Sequence, residues 1–223
     1  MTAMATGSGE SRAKTTLLLV RHGQSMGNKL GRFGGHTATP LTDLGQRQAQ
    51  ATADAIVRAH EPTAIVSSDL ARAVSTAQPI AAASDLSIEQ HAGLRERSVG
   101  ILDGKSFEET KVDHPELWAQ LLERSSDFCP PEGESIDAVI ERVGTALAHV
   151  VDAHAGGCVV VVSHAIALHH TLCHIAGAVH ASPMRLRFRL DNCSVSTVAR
   201  DQHGWTIRAL NNTAHLADVM SHM

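Results

Sequence analysis

Leu17-Leu18-Leu19-Val20-Arg21-His22-Gly23 changes character within a few residues. Four consecutive apolar side chains, with no polar alternation, predict a strand covered on both faces. The basic pair and glycine that follow mark where it leaves the sheet. The same grammar recurs twice. Ala64-Ile65-Val66 runs into Ser67-Ser68-Asp69, and Val159-Val160-Val161-Val162 runs into Ser163-His164-Ala165. Helical segments lie between these strands. Asp43 to about His60 carries Ala49, Ala53 and Ile56 on one face, and Asp43 with Gln46 imitates a capping box. Asp69 is placed to cap a helix through Ala71, Val74 and Ala77, which Pro79 disturbs.

Phe107 to Arg124 reads as a helix split near His114-Pro115, and Pro130-Pro131-Glu132-Gly133 as a turn. Ile136, Val139, Ile140, Val143, Leu147 and Val150 then recur at helical spacing, and Ile166 to Ala176 returns to helix. Leu186, Phe188 and Leu190 alternate with Arg185, Arg187 and Arg189, as in a strand with a solvated basic face. Two more strands, Val195 to Ala199 and Trp205 to Leu210, flank a Gln202-His203-Gly204 turn. This order predicts an α/β fold, a three-layer α/β/α sandwich around a mostly parallel central sheet.

The 223 residues suffice for one such domain, expected over 15–223 behind a flexible polar lead-in at 1–14. A composition of 43% hydrophobic and 19% charged residues is that of a globular chain rather than a disordered one. The net charge of −4 and the 3% aromatic content, with no Tyr, argue against a nucleic-acid partner. The apolar runs are too short to span a bilayer, and the lead-in has no hydrophobic stretch to act as signal peptide or anchor. Cys129, Cys158, Cys173 and Cys193 form no C-x-x-C pair, which fits free thiols in a reducing cytoplasm.

Open parallel sheets bind ligands beyond the carboxyl ends of their strands. Three such ends here deliver Arg21 and His22, then Arg72 in the first turn of a helix, then His164. With helix N-termini at the same edge, this is a pocket for an anion. Guanidinium forks match phosphate oxygens in pairs and neutralise a phosphoryl group in transfer. A neutral imidazole can attack phosphorus, and a second His, if cationic, stabilises the transferring group. The remaining need is a proton for the leaving alkoxide. Glu96, on a loop reading Gly93-Leu94-Arg95-Glu96-Arg97, is the candidate acid, with Glu108 or Glu109 as alternatives. Neither metal nor cofactor is called for, because the arginines supply the positive charge.

These motifs, in this order, resemble the histidine phosphatase superfamily, which includes cofactor-dependent phosphoglycerate mutases and many small-molecule phosphatases. The resemblance is carried by Leu18-Leu19-Val20-Arg21-His22-Gly23-Gln24-Ser25 with Asn28, by Pro40-Leu41-Thr42 with Gly45, and by Ser67-Ser68 with Arg72-Ala73. Leu94-Arg95-Glu96 with Gly100 and Gly104, Gly133-Glu134-Ser135 and Val162-Ser163-His164 complete it. It implies His22 as the phosphorylated nucleophile, Glu96 as proton donor, and Arg21, Arg72 and His164 as the phosphate clamp. Asn28 would support the phosphate or tie down its own loop, and Ala165 would offer a backbone N–H. Gly34 and Gly35, on a Gly-rich loop near the pocket, are expected at the phosphate, and His36 beside them reads equally as substrate contact or solvent-facing residue.

The chain also departs from the family pattern. Gly100-Ile101-Leu102-Asp103-Gly104 stands where Gly-x-Trp-Glu-Gly is common, Ser68-Asp69 replaces Ser-Pro, and Ala165-Ile166 replaces a Gly pair. Mutases of the family carry a longer Arg-bearing segment before the helix at Ile136, whereas Pro130-Pro131-Glu132 here runs directly into Gly133-Glu134-Ser135. A mutase must keep water from its phosphohistidine and a hydrolase must admit it, so hydrolysis is favoured over isomerisation and over mere phospho-ligand binding. The expected partners are a small phosphate ester and, at most, a second copy of the chain as a homodimer. His169, His170, His174 and His180 with Cys173 imitate a metal cluster, but without a His-Glu-x-x-His pattern they read as a helix with partly exposed imidazoles.

Overall fold

Each of the three unbroken apolar runs is a strand. The computed structural model describes residues 14–178 and 186–221, so the lead-in expected over 1–14 lies outside the described residues apart from Lys14. The strands are β1 (Thr15–Arg21), β2 (Ala64–Ser67), β3 (Ile88–Gln90), β4 (Cys158–Ser163), β5 (Val195–Asp201) and β6 (Gly204–Asn212). They form one sheet in the order β3-β2-β4-β1-β5-β6. The first four run parallel, while β5 pairs antiparallel with β1 and β6 with β5.

The helices are α1 (Met26–Lys29), α2 (Asp43–Ala59), α3 (Ala71–Ser84), α4 (Phe107–Asp113), α5 (Pro115–Glu123), α6 (Ile136–Ala153), α7 (Ala165–Ile175) and α8 (Ala217–Ser221). Successive side chains of a strand face opposite ways. Leu17 and Leu19 therefore pack with Val143, Leu147, Leu168 and Leu172 of α6 and α7. Leu18 and Val20 pack with Ala53, Ile56, Ala73 and Ile80 of α2 and α3. Helices thus cover both faces of the sheet, which makes three layers. Each fully buried Leu or Val of β1 contributes about 1.5–3 kcal/mol of hydrophobic stabilisation.

Local expectations fail where a distant partner competes. Thr42, not Asp43, caps α2, its hydroxyl accepting the Gly45 N–H. Asp69 does not cap α3; its carboxylate takes a two-pronged contact from Arg95, and Leu70 occupies the cap position without a side-chain bond. Pro79 lies inside α3 without ending it. Residues 186–190 form no strand despite their alternation, because no neighbour pairs with them; Arg185 lies outside the described residues. The three-residue β3, whose Ile88-Glu89-Gln90 carries no apolar run, was not anticipated.

Register prepares the site. Arg21 stands beside Ser163 and Ser67 beside Val162, so β1, β4 and β2 end level with one another. The next residues, His22, His164 and Ser68, leave at one edge. Among the described residues no helix is long and apolar enough to cross a membrane.

Candidate active site

His22 continues β1 by donating its backbone N–H to the Ser163 carbonyl at 2.9 Å. Its side chain is 3% exposed, and its Nδ1 lies 2.7 Å from the Gly23 carbonyl. A carbonyl can only accept, so Nδ1 carries the proton and Nε2 presents a lone pair. Burial, reinforced by the Arg72 and Arg21 charges, holds the ring well below the usual histidine range, and His22 is neutral at pH 7.

The His164 ring lies 5.1 Å from that of His22, centroid to centroid, and its Nε2 is 2.8 Å from the Ser68 hydroxyl. Its Nδ1 is buried with no hydrogen-bond partner. Burial first, then His22, Arg72 and Arg21, push its pKa well down. The groups of the chain itself therefore keep His164 neutral. The second imidazole, read from the sequence as a stabiliser of the transferring group if cationic, is thus neutral among the chain's own groups.

The two guanidinium groups are fixed through carbonyls, not through carboxylates. Arg72, 2% exposed, donates to the Thr37 carbonyl at 3.0 Å and the Gly35 carbonyl at 2.8 Å. Gly34 lies against its face, since a Cβ there would be 3.5 Å from the terminal nitrogen. Arg21 donates to the Leu190 carbonyl at 2.6 Å, and its buried Nε has no partner. Burial lowers both arginine pKa values, and the Glu96 carboxylate opposes that lowering in each.

Glu96 is held by the N-terminus of α7. Its carboxylate accepts the N–H groups of Arg97 (3.0 Å), Ile166 (3.2 Å) and Ala167 (3.1 Å). The first-turn donors expected to meet an external anion are thus partly taken by a side chain. Ala165, first in α7, keeps its N–H among the helix's orphan donors. Glu108 and Glu109 stand apart, pairing with Lys111 and with Ser106 and Arg32 respectively on exposed ground.

Asn28 completes a capping box with Ser25, and its Oδ1 also accepts from Asn192, whose amide donates to the His22 carbonyl at 2.9 Å. These bonds show the loop-tying reading of Asn28. Its oxygen ties the loop, which leaves the amide hydrogens for another partner.

A model of the histidine phosphatase superfamily (branch 1) matches residues 17–213, nearly the whole described chain. The chain belongs to the histidine phosphatase superfamily. Among curated relatives of this superfamily member is the probable phosphoglycerate mutase GpmB of Yersinia pestis (strain Pestoides F), 34% identical over 203 residues, covering 89% of this chain and 93% of that one. Bacillus stearothermophilus YhfR shares the fold with a TM-score of 0.84 at 26% identity, over 91% of this chain and 99% of its own. A mycobacterial glucosyl-3-phosphoglycerate phosphatase aligns with a TM-score of 0.78 at 27% identity, over 90% of this chain and 100% of its own.

Around this superfamily site lies a layer of contacts that local reading did not reveal. Asp103 accepts from the backbone N–H groups of His36 (3.1 Å) and Val99 (2.8 Å) and from the Ser98 hydroxyl (3.0 Å). Gly35 has φ 38°, and a Cβ there would collide with the Asp103 carboxylate, so only glycine fits. His36 donates Nε2–H to the Glu96 carbonyl at 2.8 Å, which makes it a strap between two loops. Arg142 donates to the carbonyls of Gly93, Arg95 and Glu96 and to both carboxylate oxygens of Glu134. Glu134 was visible as part of a motif; its partner, eight residues on in α6, was not.

His169, His170 and Cys173 converge, with one donor atom from each within 4.8 Å of the others. Phe188 N–H takes the His169 Nδ1 lone pair at 3.2 Å, and burial raises the Cys173 thiol to about 11, so it is protonated at pH 7. A metal there would have to displace both. His174 is exposed, but His170 is buried, contrary to the expectation of partly exposed rings; His180 lies outside the described residues.

Proposed function

We propose that the protein is a phosphomonoester hydrolase acting on a small phosphorylated molecule through a phosphohistidine. The carrying observation is the fixed tautomer of His22: Nδ1 is pinned by the Gly23 carbonyl, so Nε2 is an unprotonated nucleophile in a pocket walled by two guanidinium groups. Arg21 Nε and His164 Nδ1 are buried polar atoms without partners, as expected of groups that complete their bonding on a bound oxyanion.

In the first step the ester enters as its monoanion and its acidic proton passes to Glu96; Nε2 then forms a bond to phosphorus as the ester P–O bond breaks, and Glu96 gives that proton to the departing oxygen. In the second, water attacks phosphorus, the N–P bond breaks, and Glu96 recovers a proton from that water. Arg21, Arg72, the Asn28 amide and the Ala165 N–H hold the phosphoryl oxygens. Burial and His22 hold the His164 pKa down, with Arg72 and Arg21 adding to them; a phosphate's negative charge offsets the arginine contribution and so favours protonation of His164 when the oxyanion is bound. Gly34 and Gly35 act through Arg72, which they orient.

Hydrolysis rather than isomerisation is supported by the turn at Pro130–Gly133. The Pro131 carbonyl lies directly on Gly100, whose φ of 60° and closeness to that carbonyl exclude a side chain, and no longer segment lies between the turn and α6. The 34% identity to a probable phosphoglycerate mutase supports phosphate transfer between positions of one substrate as the second reading. Cys129, Cys158 and Cys193 form no disulfide among the described residues, which supports a reducing compartment such as the cytoplasm. The decisive assay follows free phosphate and phosphoglycerate isomers together, with EDTA present. Wild type should release phosphate faster than it interconverts isomers and should yield acid-labile phosphate on His22. His22→Ala should lose turnover by at least about a thousandfold. Turnover intact in that variant ends this proposal.

A further inference from the structure

The chain has only six aromatic side chains beyond its histidines, four Phe and two Trp. Four of them, Phe33, Phe107, Trp118 and Phe188, line one cavity of about 370 Å³. Phe33 meets Phe107 edge-on with centroids 4.8 Å apart and Trp118 at 6.3 Å. Apolar walls of this kind, rimmed by a few charges, mark ligand pockets rather than packing faults.

The cavity adjoins the phosphate pocket on the proton donor's side. Ala165 and Ile166 border it, and the Ile166 N–H binds the Glu96 carboxylate. Phe33 precedes Gly34, which lies against the Arg72 guanidinium. An ester held at His22 with its bridging oxygen toward Glu96 has this cavity beside its leaving group, across the Ile166 end of α7. Arg124 and Arg187 also border the cavity, neither with a carboxylate partner among the described residues, and their charge reaches His169 on its wall. A three-carbon acid is too small to cover four rings.

We infer that the leaving group this site accepts is bulky and apolar, an aromatic or long alkyl body, and ends in an anionic group received by Arg124 and Arg187. This rests on the phosphatase reading and narrows it to a substrate class.

The test is a series of ethyl, butyl and octyl phosphates, whose leaving oxygens have nearly equal basicity, together with an octyl phosphate bearing a terminal carboxylate. kcat/KM should rise at least about tenfold from ethyl to octyl, and again with the carboxylate. Trp118→Ala should flatten the alkyl series yet leave ethyl phosphate within about twofold of wild type. The milder Phe107→Leu guards against a misfolded α5 and should flatten it in part. Arg187→Gln should remove only the gain from the carboxylate. Turnover that is flat or falling with chain length overturns the inference and leaves the phosphatase reading standing. No turnover of any ester, with no acid-labile phosphate on His22, overturns the phosphatase reading itself.

Discussion

Ser68 shows how a small hydroxyl can govern a large ring. His164 is fully buried, its Nδ1 already lacks a partner, and Ser68 alone satisfies Nε2. Ser68→Ala leaves both ring nitrogens unsatisfied, so it should cost about 1–3 kcal/mol of stability, read as a lower urea midpoint at unchanged slope. The same variant should lower kcat more than it raises KM if His164 serves the transferring phosphoryl group. At this scale the sequence was most legible at the strand ends, because an apolar run followed by Arg-His or Ser-His announces its own geometry. It was least legible where the two ends of one side chain differ in their partners. Asn28 ties its loop with its oxygen and keeps its amide hydrogens available, and only coordinates separate the two ends of a carboxamide.

Among elements, the decisive joint is between α6 and the loop that carries Glu96. Arg142 on α6 gathers three carbonyls of that loop and the Glu134 carboxylate into one knot. Arg142→Gln cannot make these bonds together, so the loop should loosen while the nucleophile stays in place. The expected result is at least about a tenfold loss in kcat, with phosphorylation of His22 slowed and dephosphorylation affected too, because Glu96 acts in both steps. Rapid-quench measurement of each step checks it; loss confined to KM would show that the knot does not position the acid. The knot was hidden from sequence reading because its two sides are nearly fifty residues apart. Asp69 failed as a helix cap for a similar reason, a distant Arg95 outbidding the local N–H groups. The strands and long helices escaped this difficulty, since burial on one face or two writes a period that survives without knowledge of the partner.

For the whole molecule, the histidines set the response to acid. His22, His164, His169, His170 and His215 all have pKa values lowered by burial, with His170 pushed down to about 3. Unfolding frees these rings to take up protons near their ordinary pKa of about 6.5. Between the folded and unfolded values the unfolded chain binds more protons, so this stabilisation is full above about pH 6.5 and declines as pH falls. His170 alone accounts for about 2 kcal/mol lost by pH 5. The thermal midpoint should therefore drop between pH 7 and pH 5, and His170→Leu should shrink that drop; an equal drop in the variant would refute the assignment. At this scale the α/β class and the mostly parallel sheet were legible from the alternation of runs, whereas strand order was not, because adjacency in a sheet leaves no mark in either strand alone.

That strand order also bears on synthesis. β1 is flanked by β4 and β5, both from the C-terminal half of the chain. A ribosome thus releases this apolar strand early and supplies its two neighbours late. Until then the nascent polypeptide carries Leu17 to Val20 without the strands that flank them, and a fragment ending before Cys158 lacks both those strands and His164.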